Sequence, residues 1–188
     1  MNPITHALVG WCLAESVPGL QRPARAAVVL SSIAPDLDGF GLPFELATRA
    51  SDHPLLWWTE YHHILGHNLV FASVVSLITF TIVRSRRLLV AALAFLGANV
   101  HFLCDLLGSR GPDGYQWPIP YLLPFSSREL VWSGQWALNA WQNVALTLVL
   151  LATTFALAWA RGHSPLDLIS TRADDVFVSA LRRRWPRA

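Results

Sequence analysis

Charge is what this sequence has least of. Only 14% of its 188 residues are Asp, Glu, Lys or Arg, where a soluble domain carries about 25%. With a mean hydropathy of +0.39, the shortage argues against an ordinary water-soluble globule and for a bilayer. Cysteine is scarcer still. Cys12 and Cys104 both lie in apolar stretches, which excludes a disulfide framework and leaves two small core residues. The N-terminus lacks the basic start and small-residue cleavage site of a signal peptide. Neither an internal repeat nor a low-complexity tract is visible, and no nucleotide-binding or nucleic-acid signature occurs. A net charge of +2 is too small to identify a partner.

What is present is apolar and aromatic. Hydrophobic residues make up 53% of the chain, which carries nine Trp and twelve Pro. Trp favours membrane interfaces, where the ring is apolar and the N–H stays wet. Leu69 to Val83 is uncharged, and Ile64 to Asn68 can extend it. Leu88 to Cys104 is broken only by Asn99 and His101. Ala137 to Ala160 is uncharged and long enough to span, since crossing takes about 20 residues. Ile4 to Val17 and Ala24 to Ala34 are shorter, and fit tilted, re-entrant or packed helices. The expected fold is all-α: a small helical membrane bundle of about five apolar segments plus a C-terminal amphipathic helix. Residues 1–163 form the embedded domain and 164–188 a basic cytoplasmic tail.

Arginine placement orients this bundle. Arg22 and Arg25, then Arg84, Arg86 and Arg87, then Arg161 with Arg172, Arg182, Arg183, Arg184 and Arg187 follow alternate segments. Five alternate crossings put all of them on one side, the cytoplasmic one. The tail from Ser164 to Trp185 sets Val176, Phe177, Ala180, Leu181 and Trp185 against Asp174, Asp175 and arginines. That pattern fits either a helix lying on an anionic membrane surface or a solvated tail.

Ionisable groups in apolar helices are costly, which makes them functional candidates. Four clusters stand out: His6; Pro35-Asp36-Leu37-Asp38; His62-His63 with His67; and His101 with Asp105. All four fall at the non-cytoplasmic ends of their segments, so they can meet. Imidazole and carboxylate are the usual ligands of zinc and related ions. His101 and Asp105, like His63 and His67, are spaced i, i+4, which on a helix puts each pair on one face. Each cluster alone also has an ordinary reading: a bonded core histidine, a turn or cap, a helical hydrogen bond. His53 and His163 read as surface loop residues.

The ordered set resembles the YdjM-like family of membrane-bound metal-dependent hydrolases. The family places a His in a short apolar helix, then Pro-Asp-x-Asp, then His-Arg-x-x-Thr-His-Ser, then His-x-x-x-Asp, then a loop rich in Gly, Trp and Pro. The counterparts here are His6, Pro35 to Asp38, His62 to Asn68, His101 to Asp105, and Gly108 to Pro118. His63, Gly66 and Asn68 stand where the family has Arg, Thr and Ser. The alignment favours His62 and His67 as ligands; helical spacing favours His63 and His67. The resemblance covers roughly residues 1–125, and the family in turn looks like a distant relative of zinc-dependent phospholipase C.

The resemblance implies a hydrolase of phosphoesters, lipid-linked ones among them, in the inner membrane, with its metal site toward the non-cytoplasmic face. It implies one to three divalent ions, zinc foremost and Mn2+ or Fe2+ as alternatives, held by His6, Asp36, Asp38, His62, His67, His101 and Asp105. Asp38 and His63 are the candidate catalytic groups, and Arg110 and Trp117 in the Gly108 to Phe125 loop the candidate substrate contacts. Membrane lipids are the expected partners. Two other classes compete: a non-catalytic scaffold with a structural metal site, and a metal or proton transporter. The uncharged segments Val70 to Val83 and Leu146 to Ala160, which show no continuous polar path, disfavour the last.

Overall fold

A computed structural model describes residues 1–186; Arg187, counted above in the basic tail, lies outside them. The described chain is helical, with only isolated β-bridges in the long loop. Helix α1 (Pro3–Glu15) starts where Asn2 accepts from the Thr5 N–H and Pro3 supplies a preset φ. α2 (Arg22–Ile33) runs into a 3-10 turn, Ala34–Phe40. Two short helices follow, α3 (Gly41–Thr48) and α4 (Trp57–Tyr61). Asn68 caps α5 (Leu69–Ile82) by accepting from the Phe71 N–H. α6 is Arg87–Gly108 and α7 is Trp141–Arg161, closed by Gly162 at φ 87. A second 3-10 turn, Pro165–Leu168, leads into α8 (Thr171–Arg184).

The structure corrects the expected five spans. Among the described residues only α6 and α7, of 22 and 21 residues, are long and apolar enough to cross a bilayer. At about 1.5 Å per residue they reach about 32 Å, whereas α1, α2 and α5 reach only about 18–21 Å against a core of about 30 Å. The short helices have another role: α1 and α2 pair with each other and pack on α6, while α5 lies against α6 on another side. Ala14, Ala24, Ala27, Val28, Val90 and Leu93 form one buried cluster, and Ala72, Ala98, Phe102 and Ile119 another. α7 is covered far less. Its Val144, Leu148 and Val149 stand exposed, a surface suited to lipid rather than water.

Small residues set how close the helices come. A Cβ on Gly10 of α1 would lie 2.8 Å from Ser32 Cβ and 2.9 Å from Val29 Cα, and one on Gly97 of α6 would lie 2.3 Å from Ser32 Oγ. α2 is therefore held tightly between α1 and α6 at Ser32. That contact fixes the Ser32 carbonyl within hydrogen-bond reach of His101 on α6.

Candidate metal centre

Buried polar atoms must find partners, so tracing each one shows what the site is built for. His101, one turn before Asp105 on α6, donates from Nδ1 to the Ser32 carbonyl at 2.8 Å. The Asp38 carboxylate accepts from His62 Nδ1 at 2.8 Å, from His67 Nδ1 at 3.1 Å and from the Gly66 N–H at 2.9 Å. In the neutral tautomers that carry the proton on Nδ1, the Nε2 atoms of His67 and His101 are bare lone pairs. Yet these two atoms lie 3.1 Å apart. Asp105 Oδ2 sits 3.0 Å from His101 Nε2 and 3.4 Å from His67 Nε2. Three buried acceptors facing one another repel unless a cation lies among them.

The spacing also fits a cation. Ligands at about 2.0–2.1 Å around a tetrahedral ion lie about 3.3 Å from one another. Besides the separations above, His6 Nε2 is 3.3 Å from Asp105 Oδ1, and His101 Nε2 is 3.5 Å from Asp36 Oδ1. Two overlapping groups result. His6, Asp36, His101 and Asp105 form one; His63, His67 and Asp105 form the other. Asp105 belongs to both, with Oδ1 turned to His6 and Oδ2 to His67 and His101. Both His6 nitrogens, His63 Nδ1 and Asp36 Oδ2 are buried without a hydrogen-bond partner, as atoms awaiting an ion would be. The His6 ring stacks on His101 at 3.6 Å.

Electrostatics prepares the groups outside the spanning helices. Burial pushes His6 down to about 2 and holds His63 well below the ordinary range, so both imidazoles stay neutral. Burial also raises the Asp36 carboxyl. For Asp38, burial pushes upward, but the bonds from His62, His67 and Gly66 outweigh it and hold the carboxylate well below its usual range. Neutral imidazole and ionised carboxylate are the forms that bind metal, so burial favours His6 and His63 as ligands but works against Asp36.

The sequence-predicted residues thus divide. His6, Asp36, His63, His67, His101 and Asp105 come together. Asp38 and His62 stand one shell out, bonded to each other, and no oxygen of Asp38 is left without a partner for the base role expected of it. The i, i+4 argument for His63 and His67 fails, because residues 62–68 are not helical. His63 instead reaches the cluster from the left-handed region, at φ 68, a strained position for a residue with a side chain. Asp36 and Asp38 project from a 3-10 turn rather than an extended one. Trp117 packs edge-on over His63 at 4.8 Å and beside His62 at 5.5 Å, but Arg110 lines a separate concavity with Tyr115 and Glu129.

Several participants had not been expected. The Met1 amine donates to Asp105 and to Ser109 Oγ. Ser109 also donates to Asp105 at 2.9 Å; its place four residues on extends the His101–Asp105 stripe and was readable. Gln135 donates to the Asp105 carbonyl at 3.0 Å, and Trp58 stacks on His62 at 3.7 Å; neither carries a sequence signal. A cavity of about 510 Å³ opens beside the cluster, walled by Ile33, Leu37, Phe40, Trp58, Trp117 and Leu138, with Asp36, His62 and His63 at its polar side.

At the far end of α1, Glu15 is buried against His163 at 2.8 Å, Arg161 at 3.5 Å and Arg25 at 3.7 Å. His163, expected in a surface loop, is thus a partner of a buried carboxylate.

Compared with known proteins, residues 1–171 match the profile of the YdjM inner membrane protein family. No curated protein and no solved structure gives a significant match, so the kinship to phospholipase C has no counterpart there.

Proposed function

The chain belongs to the YdjM inner membrane protein family, and on that footing we propose that it is a membrane-bound, divalent-metal-dependent hydrolase acting on phosphoesters that carry an apolar group. One observation carries the reading. The group of His63, His67 and Asp105 offers three protein ligands beside an open cavity, and three ligands with a free position mark a catalytic site, whereas four close a structural one. His6, Asp36, His101 and Asp105 would hold one ion; His63, His67 and Asp105 would hold the second. Zinc suits this ligand set best. Divalent metal there supplies Lewis acidity and brings the pKa of water toward neutrality.

The chain's own residues do the rest. Asp38 fixes the tautomer and rotation of His67, as the Ser32 carbonyl does for His101. The same carboxylate orients His62, whose ring lines the cavity between Trp58 and Trp117. An imidazole held by a carboxylate is suited to move a proton to and from a substrate, so His62 takes the acid–base role. The apolar walls exclude water and receive the substrate's apolar part. Arg84 and Arg86 precede α6, Arg87 opens it and Arg161 ends α7, which supports a site toward the non-cytoplasmic face.

The four-ligand group supports a second reading, a structural ion that ties α1, the 3-10 turn after α2 and α6 together. Metal analysis beside phosphomonoester and phosphodiester turnover separates the two. Wild type is expected to bind metal and turn over substrate, with His101→Ala and Asp105→Ala losing both. Metal binding with no turnover of any phosphoester favours the scaffold, and equal, near-zero metal in all three proteins defeats the proposal.

A further inference from the structure

A second functional surface lies at the opposite end of the molecule. α8 docks on the last turns of α7 through a buried inner face. The Phe177 ring packs on Phe155 at 5.4 Å, Trp159 donates to the Trp185 carbonyl at 2.7 Å, and Arg182 donates to the Trp159 carbonyl at 3.0 Å. Val178 and Leu181 are buried, and so is Asp174, which accepts from the Ser164 N–H and hydroxyl. The inner face is therefore fully specified, and Asp174 does not lie on the outer one, as a simple amphipathic reading of the tail placed it.

Apart from Arg184, whose guanidinium lies 5.8 Å from the Trp185 ring, the outer face has no partner among the described residues. At 100° per residue, Ala173, Val176 and Ala180 form its centre, Arg172 and Arg183 one border and Arg184 the other. All six are exposed, Val176 by 63%. Ile169, just before the helix, is 82% exposed, and Trp185, just after it, 59%. Asp175 lies further round the flank and is the one exposed acid of the helix. The level of α8 is set by its contact with Phe155, six residues or about 9 Å before the end of α7.

From this placement we propose that α8 is an interfacial helix whose outer face binds the headgroups of anionic phospholipids. The occupant is set by charge complementarity: three exposed arginines border an exposed apolar strip on a helix docked against the end of a candidate span. Each arginine near an anionic leaflet is worth about fivefold in affinity, so three give on the order of 100-fold at low salt. Salt must weaken the contact, since exposed charges are screened within about 10 Å at 0.1 M.

Hydrogen–deuterium exchange of the full chain in nanodiscs tests this, with phosphatidylcholine alone or mixed with phosphatidylglycerol. The expected result is at least tenfold slower exchange over residues 171–184 in the anionic discs, reduced by salt and absent in a variant carrying Arg172→Glu, Arg183→Glu and Arg184→Glu. Exchange in α6 serves as the folding control and is expected to match wild type. Equal protection of α8 in both lipids, or protection that persists in the folded triple variant, overturns the proposal.

Discussion

At the scale of single residues, the chemistry lies in which atom keeps which proton. Asp38 touches no candidate ion, yet it fixes His67, so Asp38→Asn is expected to weaken metal binding about 10–100-fold without abolishing it, as read by metal titration. A second expectation concerns acid. His6 titrates at 6.5 when unfolded and at about 2 when folded, so between these values the unfolded chain binds the extra proton. Stability of the chelated protein should therefore fall as pH drops from 7 to 4, and His6→Gln should flatten that slope. Melting in detergent at a series of pH values would show it; a slope unchanged by the substitution counts against a buried neutral His6. His6, Asp36, His67, His101 and Asp105 were legible in the sequence because ionisable groups are conspicuous in apolar surroundings. Ser32 was not, since it acts through a backbone carbonyl that every residue possesses.

At the scale of elements, close approach matters more than hydropathy. A Cβ on Gly66 would lie 2.2 Å from the Pro35 carbonyl oxygen, and its N–H serves Asp38. Gly66→Thr, which restores the residue of the family pattern, should therefore push residues 62–68 away from the 3-10 turn. Weaker metal binding and a lower melting temperature are both expected. Gly10→Ala should separate α1 from α2 and cost about 1–3 kcal/mol, the usual range for overpacking, measurable by denaturation in detergent. The five apolar segments were readable as helices to within a few residues. Their roles were not, because a sequence window cannot tell a helix buried by its neighbours from one facing lipid. α3, α4 and the bend around His63 escaped the reading too; they depend on Trp58, Asp38 and Gly66 meeting across the chain, which no local pattern records.

At the scale of the whole molecule, two polar centres sit at opposite ends of α1. Glu15 lies about 14 Å along the helix from His6 and joins α1 to Arg25 of α2 and to Arg161 and His163 beyond the core of α7. Removing one partner of a buried ionic group costs about 3–5 kcal/mol, so Glu15→Ala should lower the melting temperature while metal content stays at the wild-type ratio. Metal loss in that variant would mean the two ends are coupled. The arginine distribution made this polarity legible; the burial of Glu15 could not be read, because it needs three partners distant in sequence. At the other end, Asp105 belongs to both candidate metal groups, so on the proposed reading the two ion positions are interdependent. Titrating metal into His63→Ala should still fill one equivalent, but Asp105→Asn should drop occupancy from two straight to none. On the proposed reading one side chain answers to both positions, so metal titration of the intact protein should depart from the curve of two independent sites.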